Sequence, residues 1–397
     1  MKHELNKEKL NIVMISHHHN PARPRPIAQH LVSFGHKVTI MQVAERRKFG
    51  IVESKWKGVK IVETPDLLWG RLRTGWDIWN TLNRIFYIFQ DNDPFDILHC
   101  FETRPATIYP ALFFLRKHNV PFITDWNDWW GRGGLIEVGR PKWYRYLFGG
   151  IETYYEEHFR SSADGLTVIS TALAERAVKL GVQQKSICYL PGGTTPKEIE
   201  ARSKNECRNQ VGLPTSDPIL GYMGTFHYLD IEIVLEALAV VSKKFPSVKL
   251  ILTGNVGKKV LELSSHFQVE NNVYQTGFLP KDELPLYLGC CDVFLLPFAN
   301  EIYNIGRWPN KIGLYMCLER PTVTNPVGDI ATLFEQYNIG LLAKWDPDDF
   351  AKKIITLIEQ PELADRLGKS ARELAITDYD WDILVKKLES FYFSLLT

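Results

Sequence analysis

The chain has 397 residues, 45% of them apolar and 23% charged, with a formal net charge of +1. That is length enough for two domains, each with its own core, and composition typical of a folded globular protein. A net charge this small argues against an extended nucleic-acid surface, which needs a clear basic excess.

The N-terminal segment MKHELNKEKL is charged, and the apolar run at 12–15 is too short for a signal peptide or a membrane span. No apolar stretch elsewhere reaches spanning length, so the sequence predicts a cytoplasmic protein with peripheral contact at the inner membrane face left open. Residues 11–16 read as a buried strand, 17–25 as a loop, 26–34 as a helix stopped by Gly35, and 37–42 as the next strand. Strands follow at 97–101, 121–124 and 166–169, with a helical stretch from the first of these through Leu115. The pattern restarts with strands at 219–223 and 248–253 around a helix at 232–244, then strands at 273–276, 293–296 and 322–324. Strands alternating with helices predict parallel, doubly wound sheets. Pro191 to Pro218, rich in Gly, Thr, Pro and charge, reads as the region between the halves, and 381–396 has apolar residues at helical spacing. The predicted fold class is α/β, two Rossmann-like domains facing a cleft. The boundaries are 1–190, a linker at 191–216, a second domain at 217–379, and a final segment at 380–397. Six cysteines, none in a C-x-x-C pair and most in apolar runs, read as reduced core thiols.

The most informative stretch is PFANEIYNIGRWPNKIGLYMCLERPTVTNPVGD, residues 297–329. Arg307 and Lys311 follow a buried apolar run and stand at the start of a predicted helix. Two fixed cations beside helix-start N–H groups suit a diphosphate. Solvated surface charges are the plain alternative, and the order Arg-Trp-Pro-Asn-Lys, Tyr315-Met316, Arg320-Pro321-Thr322-Val323 weighs against it. Asp125-Trp126-Asn127-Asp128-Trp129-Trp130-Gly131-Arg132-Gly133-Gly134 follows another strand end. Its carboxylates, rings and glycines suit a sugar, although Asp128 fits a helix N-cap equally well. His17-His18-His19-Asn20 follows the first strand. Consecutive side chains diverge and no carboxylate adjoins, so a metal site is disfavoured. His19, Arg23 and Arg25 line an acceptor or approach phosphates, or else cap the loop. Trp69, Arg71, Arg73, Trp76, Trp79, Arg84, Phe86 and Phe89 mix rings and cations. Core packing with solvated arginines is the reading preferred over a membrane or lipid-acceptor patch.

Gly35-His36-Lys37-Val38-Thr39, Ala163-Asp164-Gly165-Leu166-Thr167-Val168-Ile169-Ser170, Leu190-Pro191-Gly192-Gly193, Leu220-Gly221-Tyr222-Met223-Gly224, Tyr274-Gln275-Thr276-Gly277-Phe278 and Cys291-Asp292-Val293-Phe294-Leu295-Leu296-Pro297 occur in order. In that order and spacing the chain resembles the retaining nucleotide-sugar glycosyltransferases of family 4, which have the GT-B fold. The resemblance covers nearly the whole chain. It implies a nucleotide-sugar donor as co-substrate with no other cofactor and no metal, a glycan or lipid-linked acceptor, and no nucleic-acid partner. It also implies a C-terminal helix crossing back to the N-terminal domain. Carried onto matching positions, it makes Asp125, Arg307 and Lys311 catalytic. His19, Arg23, Asp128, Gly224, His227, Phe278, Leu279, Gly306 and Asn310 become substrate-binding, with Phe278 and Leu279 at the base. Two departures stand out. Gly306 and Leu314 occupy the positions of the family's paired glutamates, while Pro309-Asn310-Lys311 matches a branch with a Pro-any-Lys loop. The Arg and Lys usual after the first donor-domain strand are replaced by a loop with only His227. A relative that kept the fold and lost turnover, acting as a binding or scaffold subunit, is the alternative reading. An epimerase of the same fold is weaker, because its acidic cluster is not evident.

Overall fold

The computed structural model describes residues 8–45, 49–67, 73–90, 93–224 and 228–396. It divides into two compact units, one running to Pro191 and resuming at Trp381, the other from Gly192 to Asp380. Among the expectations above, those on His227, Trp69 and Arg71 lie outside the described residues.

The first unit opens with β1 (Asn11–Ser16), α1 (Pro24–Ser33), β2 (Lys37–Val43), β3 (Val52–Trp56) and β4 (Val59–Thr64). It continues through α2 (Ile78–Gln90), β5 (Ile97–Phe101), α3 (Pro105–Lys117), β6 (Phe122–Trp126), α4 (Leu135–Gly139) and α5 (Lys142–Ser161). β7 (Gly165–Val168), α6 (Thr171–Lys179) and β8 (Ile187–Tyr189) complete its main run. The sheet order is β3-β4-β2-β1-β5-β6-β7-β8, and only the β3–β4 pairing is antiparallel. The sequence reading missed that hairpin, because the Val-Glu-Ser-Lys-Trp strand β3 is an edge with almost every side chain in water. A strand with no buried face carries no apolar alternation to read.

The second unit begins with α7 (Lys204–Val211), β9 (Ile219–Met223), α8 (Tyr228–Lys244), β10 (Lys249–Thr253), α9 (Lys258–His266) and β11 (Val273–Gly277). Then come α10 (Leu284–Gly289), β12 (Val293–Leu296), α11 (Ile302–Ile305), α12 (Lys311–Cys317), β13 (Thr322–Thr324), α13 (Gly328–Tyr337) and β14 (Gly340–Leu342). α14 (Pro347–Glu359) and α15 (Pro361–Thr377) close it. All its pairings are parallel, in the order β11-β10-β9-β12-β13-β14. Leu220, Leu250, Leu252, Val293 and Leu295 pack under Val234, Leu238, Phe350 and Ile354 of the covering helices.

The stretch read as a linker is folded into this unit. Ser203 and Glu206 form a reciprocal capping box that starts α7. Arg208 then donates to the Cys290 carbonyl and to Asp292, tying α7 to the start of β12. Loop-like composition concealed a helix whose anchors are distant in sequence.

The last helix, α16 (Trp381–Leu396), belongs to the first unit. Trp381, Leu384, Val385 and Leu388 join the core with Ile12, Leu31 and Ile97. Tyr392 adds a buried polar lock. Thr167 Oγ1 donates to Asp125 at 2.5 Å, so its oxygen is free to accept from His99 Nε2–H at 3.1 Å. His99 Nδ1 then accepts from the Tyr392 hydroxyl at 2.6 Å. Burial lowers the His99 pKa to about 4, which keeps the ring neutral as this chain of bonds requires.

Candidate functional site

In an open parallel sheet, ligands gather where strand order reverses, beyond the strand C-terminal ends. In the second unit that point lies between β9 and β12, and it holds both predicted cations. Lys311 is the first residue of α12 and Tyr315 sits one turn later on the same face. Tyr315 is fully buried, stacks on Phe294 with centroids 4.0 Å apart, and accepts from the Met223 amide at 3.1 Å. This bond fastens α12 to the end of β9, which is why the Lys-x-x-x-Tyr spacing matters. The Lys311 ammonium consequently lies 4.4 Å from the Tyr222 ring. At Gly224, φ is +118°, and a Cβ there would sit 3.4 Å from Lys311 Nζ. Glycine therefore serves both the left-handed turn and the approach of the cation.

Burial and the adjacent Arg307 lower the Lys311 pKa to about 8, against the pull of Asp230 in the first turn of α8. Arg307 follows α11, with its guanidinium 5.2 Å from the Phe298 ring and 5.6 Å from that of Tyr303. Its Nε is buried without a hydrogen-bond partner. Two mutually repelling cations, one part-desolvated and the other with an unfilled donor, form an arrangement completed by an anion. The helix terminus contributes less than the sequence suggested, because α12 has only 7 residues and no side-chain cap. Asn310, its N-cap, is exposed, and Gly306 is the buried C-cap of α11. Trp308 is a structural anchor, stacked on Tyr379 at 5.2 Å.

Beside this corner, Gly254 follows β10 and Gly277 ends β11, both at positive φ. Gly254, Asn255, Val256, Gln275, Gly277 and Phe278 line a groove of ≈ 380 Å³. Phe278 is 89% exposed, which removes core packing as its explanation and leaves a bare ring at the groove edge. Leu279 next to it is half-buried.

The first unit treats its predicted residues differently. Asp125 lies within β6 and is fully buried. Its two carboxylate oxygens accept from Arg23 Nε at 3.0 Å each, and one also accepts from Thr167. Arg23 is likewise buried and donates to the Leu190 and Pro191 carbonyls. These two residues, read from the sequence as catalytic and substrate-binding, form an internal ion pair that pins the loop after β1 to the end of β8. Every side-chain nitrogen and oxygen of the pair has at least one hydrogen-bond partner within the unit. His19 is exposed and its Nδ1 lies 3.1 Å from the Val43 carbonyl, so it caps the loop. Asp128 does not cap a helix, since α4 starts after Gly134, and its charge is felt by Glu102.

The switch point of this sheet lies between β1 and β5, and the residues there were not singled out from sequence. Glu102 follows β5 at φ +74°, an unfavourable backbone for a non-glycine residue. It is 5% exposed, and Oε1 has no hydrogen-bond partner. Burial pushes its carboxyl up to about 8, although Arg160 and Arg104 pull the other way. It lines a small cavity with Trp76, Thr103, Arg104, Trp130 and Glu156. The available signal was Glu-Thr-Arg-Pro immediately after a fully buried strand. Burial lowers the pKa of the neighbouring His17 well below the ordinary histidine range, with Arg104 adding to it.

Comparison with known proteins follows this division. Residues 25–198 match the family model described as Glycosyltransferase Family 4, and residues 217–360 match Glycosyl transferases group 1. N-acetyl-alpha-D-glucosaminyl L-malate synthase of Bacillus anthracis is 22% identical over 59% of this chain and 60% of its own length. The match to a second curated relative spans 44% of that protein, so the chain aligns with only about half of such relatives. Sucrose-phosphate synthase from Thermosynechococcus elongatus superposes with a TM-score of 0.76 at 17% identity, covering 97% of this chain and 99% of that one. Anabaena HepE, solved with UDP-glucose, gives 0.72 at 14% identity over 97% and 100%. The fold is GT-B, in agreement with the two predominantly parallel sheets.

Proposed function

With a GT-B fold and a glycosyltransferase model matching each unit, we propose that the chain transfers a sugar from a nucleotide diphosphate sugar to an acceptor hydroxyl with retention of configuration. The observation that carries this reading is the Lys311–Arg307 corner at the end of β9, with an unfilled guanidinium donor beside an open groove. Breaking the bond between sugar C1 and the phosphate oxygen places negative charge on the departing diphosphate. Fixed cations stabilise that charge more in the transition state than in the ground state. The acceptor oxygen forms the new bond to C1 from the same side, and its proton passes to the leaving phosphate oxygen. Retention follows from same-side attack, and needs no donor-loop carboxylate where Gly306 and Leu314 now stand. Phe278 offers its ring to the base, and the nucleotide runs from that ring along the groove to Lys311. On the acceptor side, Glu102 and Arg104 replace Asp125 and Arg23 as the groups that touch substrate. Glu102, whose carboxyl is pushed up by burial against the pull of Arg160 3.6 Å away, would hydrogen-bond an acceptor hydroxyl.

The test is thermal shift with UDP, GDP, ADP and dTDP, followed by hydrolysis of the matching nucleotide sugars. A nucleotide that binds should raise the melting temperature by mass action, and Lys311→Ala should remove most of that shift. A shift that survives in Lys311→Ala moves the phosphate site elsewhere. Nucleotide binding with no turnover of any donor, with or without acceptors, leaves the fold and removes the transferase.

A further inference from the structure

The cavity lined by Glu102 has a volume of ≈ 20 Å³, room for one water-sized group. Trp76, Glu152 and Glu156 line it as well. Glu152 accepts from Arg73 and Tyr144, and Glu156 from the Trp126 indole and the Trp130 and Gly131 amides. Two buried polar atoms of the lining have no hydrogen-bond partner, Glu102 Oε1 and Trp76 Nε1. Trp76 is fixed from several sides. The Arg73 guanidinium lies 3.5 Å from its ring centre, and Tyr155 packs edge-on at 5.0 Å. In the turn before it, the Thr74 carbonyl accepts from Arg104 at 2.7 Å and the Gly75 carbonyl from the Ala106 amide at 2.9 Å. Gly75 has φ +83°, and a Cβ there would sit 2.8 Å from Arg104 Cδ and 3.0 Å from His17 Cγ, so glycine is what lets the turn close over these side chains. The helix that follows, α2, reverses the sequence expectation of core rings and solvated arginines. Arg84 is fully buried, donating to Ser16, Thr64 and Ala106, while Phe86 and Phe89 are exposed.

The two unpartnered atoms and the space between them define what fits. An indole N–H only donates, whereas a carboxyl oxygen accepts or, when protonated, donates. A hydroxyl meets both, because its oxygen accepts from the indole while it bonds the carboxyl in either role. Ionised, the carboxylate is drawn to Arg160 Nη2, 3.6 Å from Oε2, so the protonated form holds the hydroxyl better. A carboxylate or phosphate brings several oxygens and exceeds the space. Nor do the charges call for an anion. Arg73 pairs with Glu152, Arg160 with Glu102, and Arg176 with both Glu156 and Glu157, while Arg104 and Asp128 act on Glu102 in opposite directions. The reacting hydroxyl of an acceptor must have the donor's sugar carbon within bonding reach, and this cavity has no room for a second group. We propose that Trp76 Nε1 and Glu102 Oε1 seat one non-reacting hydroxyl of the acceptor, which is therefore a sugar or polyol with at least two hydroxyl groups rather than a monohydroxylic alcohol. On the transferase reading, from which this follows, Trp76 determines acceptor specificity.

The experiment takes the nucleotide sugar that the wild type hydrolyses and offers it ethylene glycol, glycerol and methyl glucoside as acceptors, against ethanol and cyclohexanol. Transfer is expected to polyols and not to the monohydroxylic alcohols. The best polyol is then replaced by its monodeoxy analogues. Loss of the seated hydroxyl should raise KM by about threefold to tenfold with little change in kcat. Trp76→Phe keeps a ring against Arg73 and Tyr155 and removes the N–H. It should raise KM for the parent acceptor by a similar factor and leave KM for that deoxy analogue at its wild-type value, since both changes remove the same bond. If Trp76→Phe does not fold, the deoxy series on the wild type still decides. Equal transfer to the monohydroxylic alcohols, no transfer to any polyol, or a Trp76→Phe effect of equal size on the parent and on every deoxy analogue overturns the proposal. Hydrolysis of no nucleotide sugar by the wild type removes the transferase reading itself, a result distinct from each of these.

Discussion

The two sheets place charged residues at equivalent edges and use them in opposite ways. At the end of β6, Asp125 and Arg23 are buried, and each of their side-chain polar atoms has a partner within the unit. At the end of β9, Lys311 is held against a tyrosine ring and Arg307 keeps a buried donor unfilled. Both pairs follow buried strands in the sequence, and both attract a functional reading on that ground. The number of internal partners separates them. A group whose hydrogen-bonding capacity is used up stabilises the fold, whereas one held desolvated and incomplete has capacity for a ligand.

Removing one member of each pair should therefore break different properties. Asp125→Ala leaves Arg23 charged and buried with only carbonyl partners, and Thr167 and His99 lose the end of their relay. Uncompensated charges of this kind cost about 3–5 kcal/mol, so chemical denaturation should show a loss of that order, with any fall in activity following the unfolded fraction. Lys311→Ala should do the reverse. Its lowered pKa means that the folded state holds the ammonium less favourably than water does. Stability of the free protein should thus rise with pH from about 8 toward the ordinary lysine range, and the alanine variant should lose this slope. Its transferase rate should fall by roughly 10²–10³, as for other preorganised oxyanion donors. A bound diphosphate raises the Lys311 pKa, so wild-type affinity for the nucleotide should decline as pH passes about 8. An unstable Lys311→Ala, or a stable Asp125→Ala without activity, would erase the contrast.

How much of this was legible follows the same line. The buried strands were readable because runs such as Val-Phe-Leu-Leu need no partner to be recognised. The terminal helix was readable from its apolar spacing, and its docking in the first unit came from the resemblance. That Lys311 and Arg307 lie close enough to repel was readable because the loop that presents them is contiguous in sequence. The internal pairing of Asp125 was not readable, because its partners Arg23 and Thr167 are 102 and 42 residues away and such pairing is a property of three-dimensional contact. Glu102 was passed over because neither a left-handed backbone nor a cavity is written in Glu-Thr-Arg-Pro. The orientation of α5 was not read at all: Glu152 and Glu156 face inward by their contacts, while Trp143 and Tyr146 lie exposed.

Phe278 sharpens the comparison from the groove side. An 89% exposed ring holds nothing in place, so Phe278→Ala should leave the melting temperature of the free protein unchanged. If the ring stacks on the base, nucleotide affinity should fall by about 1–3 kcal/mol, the usual worth of an aromatic–base contact. Isothermal titration with the nucleotide found by thermal shift measures this directly. Equal affinity in the variant would leave Gln275 and the groove backbone as the only base contacts.

The smallest effect is expected at Glu102, where the two behaviours meet in one residue. It is buried, as Asp125 is, yet like Arg307 it keeps an atom without a partner. With a folded pKa near 8, above its ordinary carboxylate value, the protonated form carries the stability. That contribution is complete below the ordinary range and is lost as pH rises through about 8. Glu102→Gln keeps the shape and a neutral N–H donor at every pH. Its melting temperature should match wild type only below the ordinary carboxylate range and exceed it increasingly as pH rises toward about 8, because the unfolded wild type ionises there while the folded one holds its proton. The acceptor KM should then lose its rise across the same window. A variant that melts lower than wild type at every pH would mean that Glu102 is ionised beside Arg160 and belongs with Asp125 among the saturated anchors.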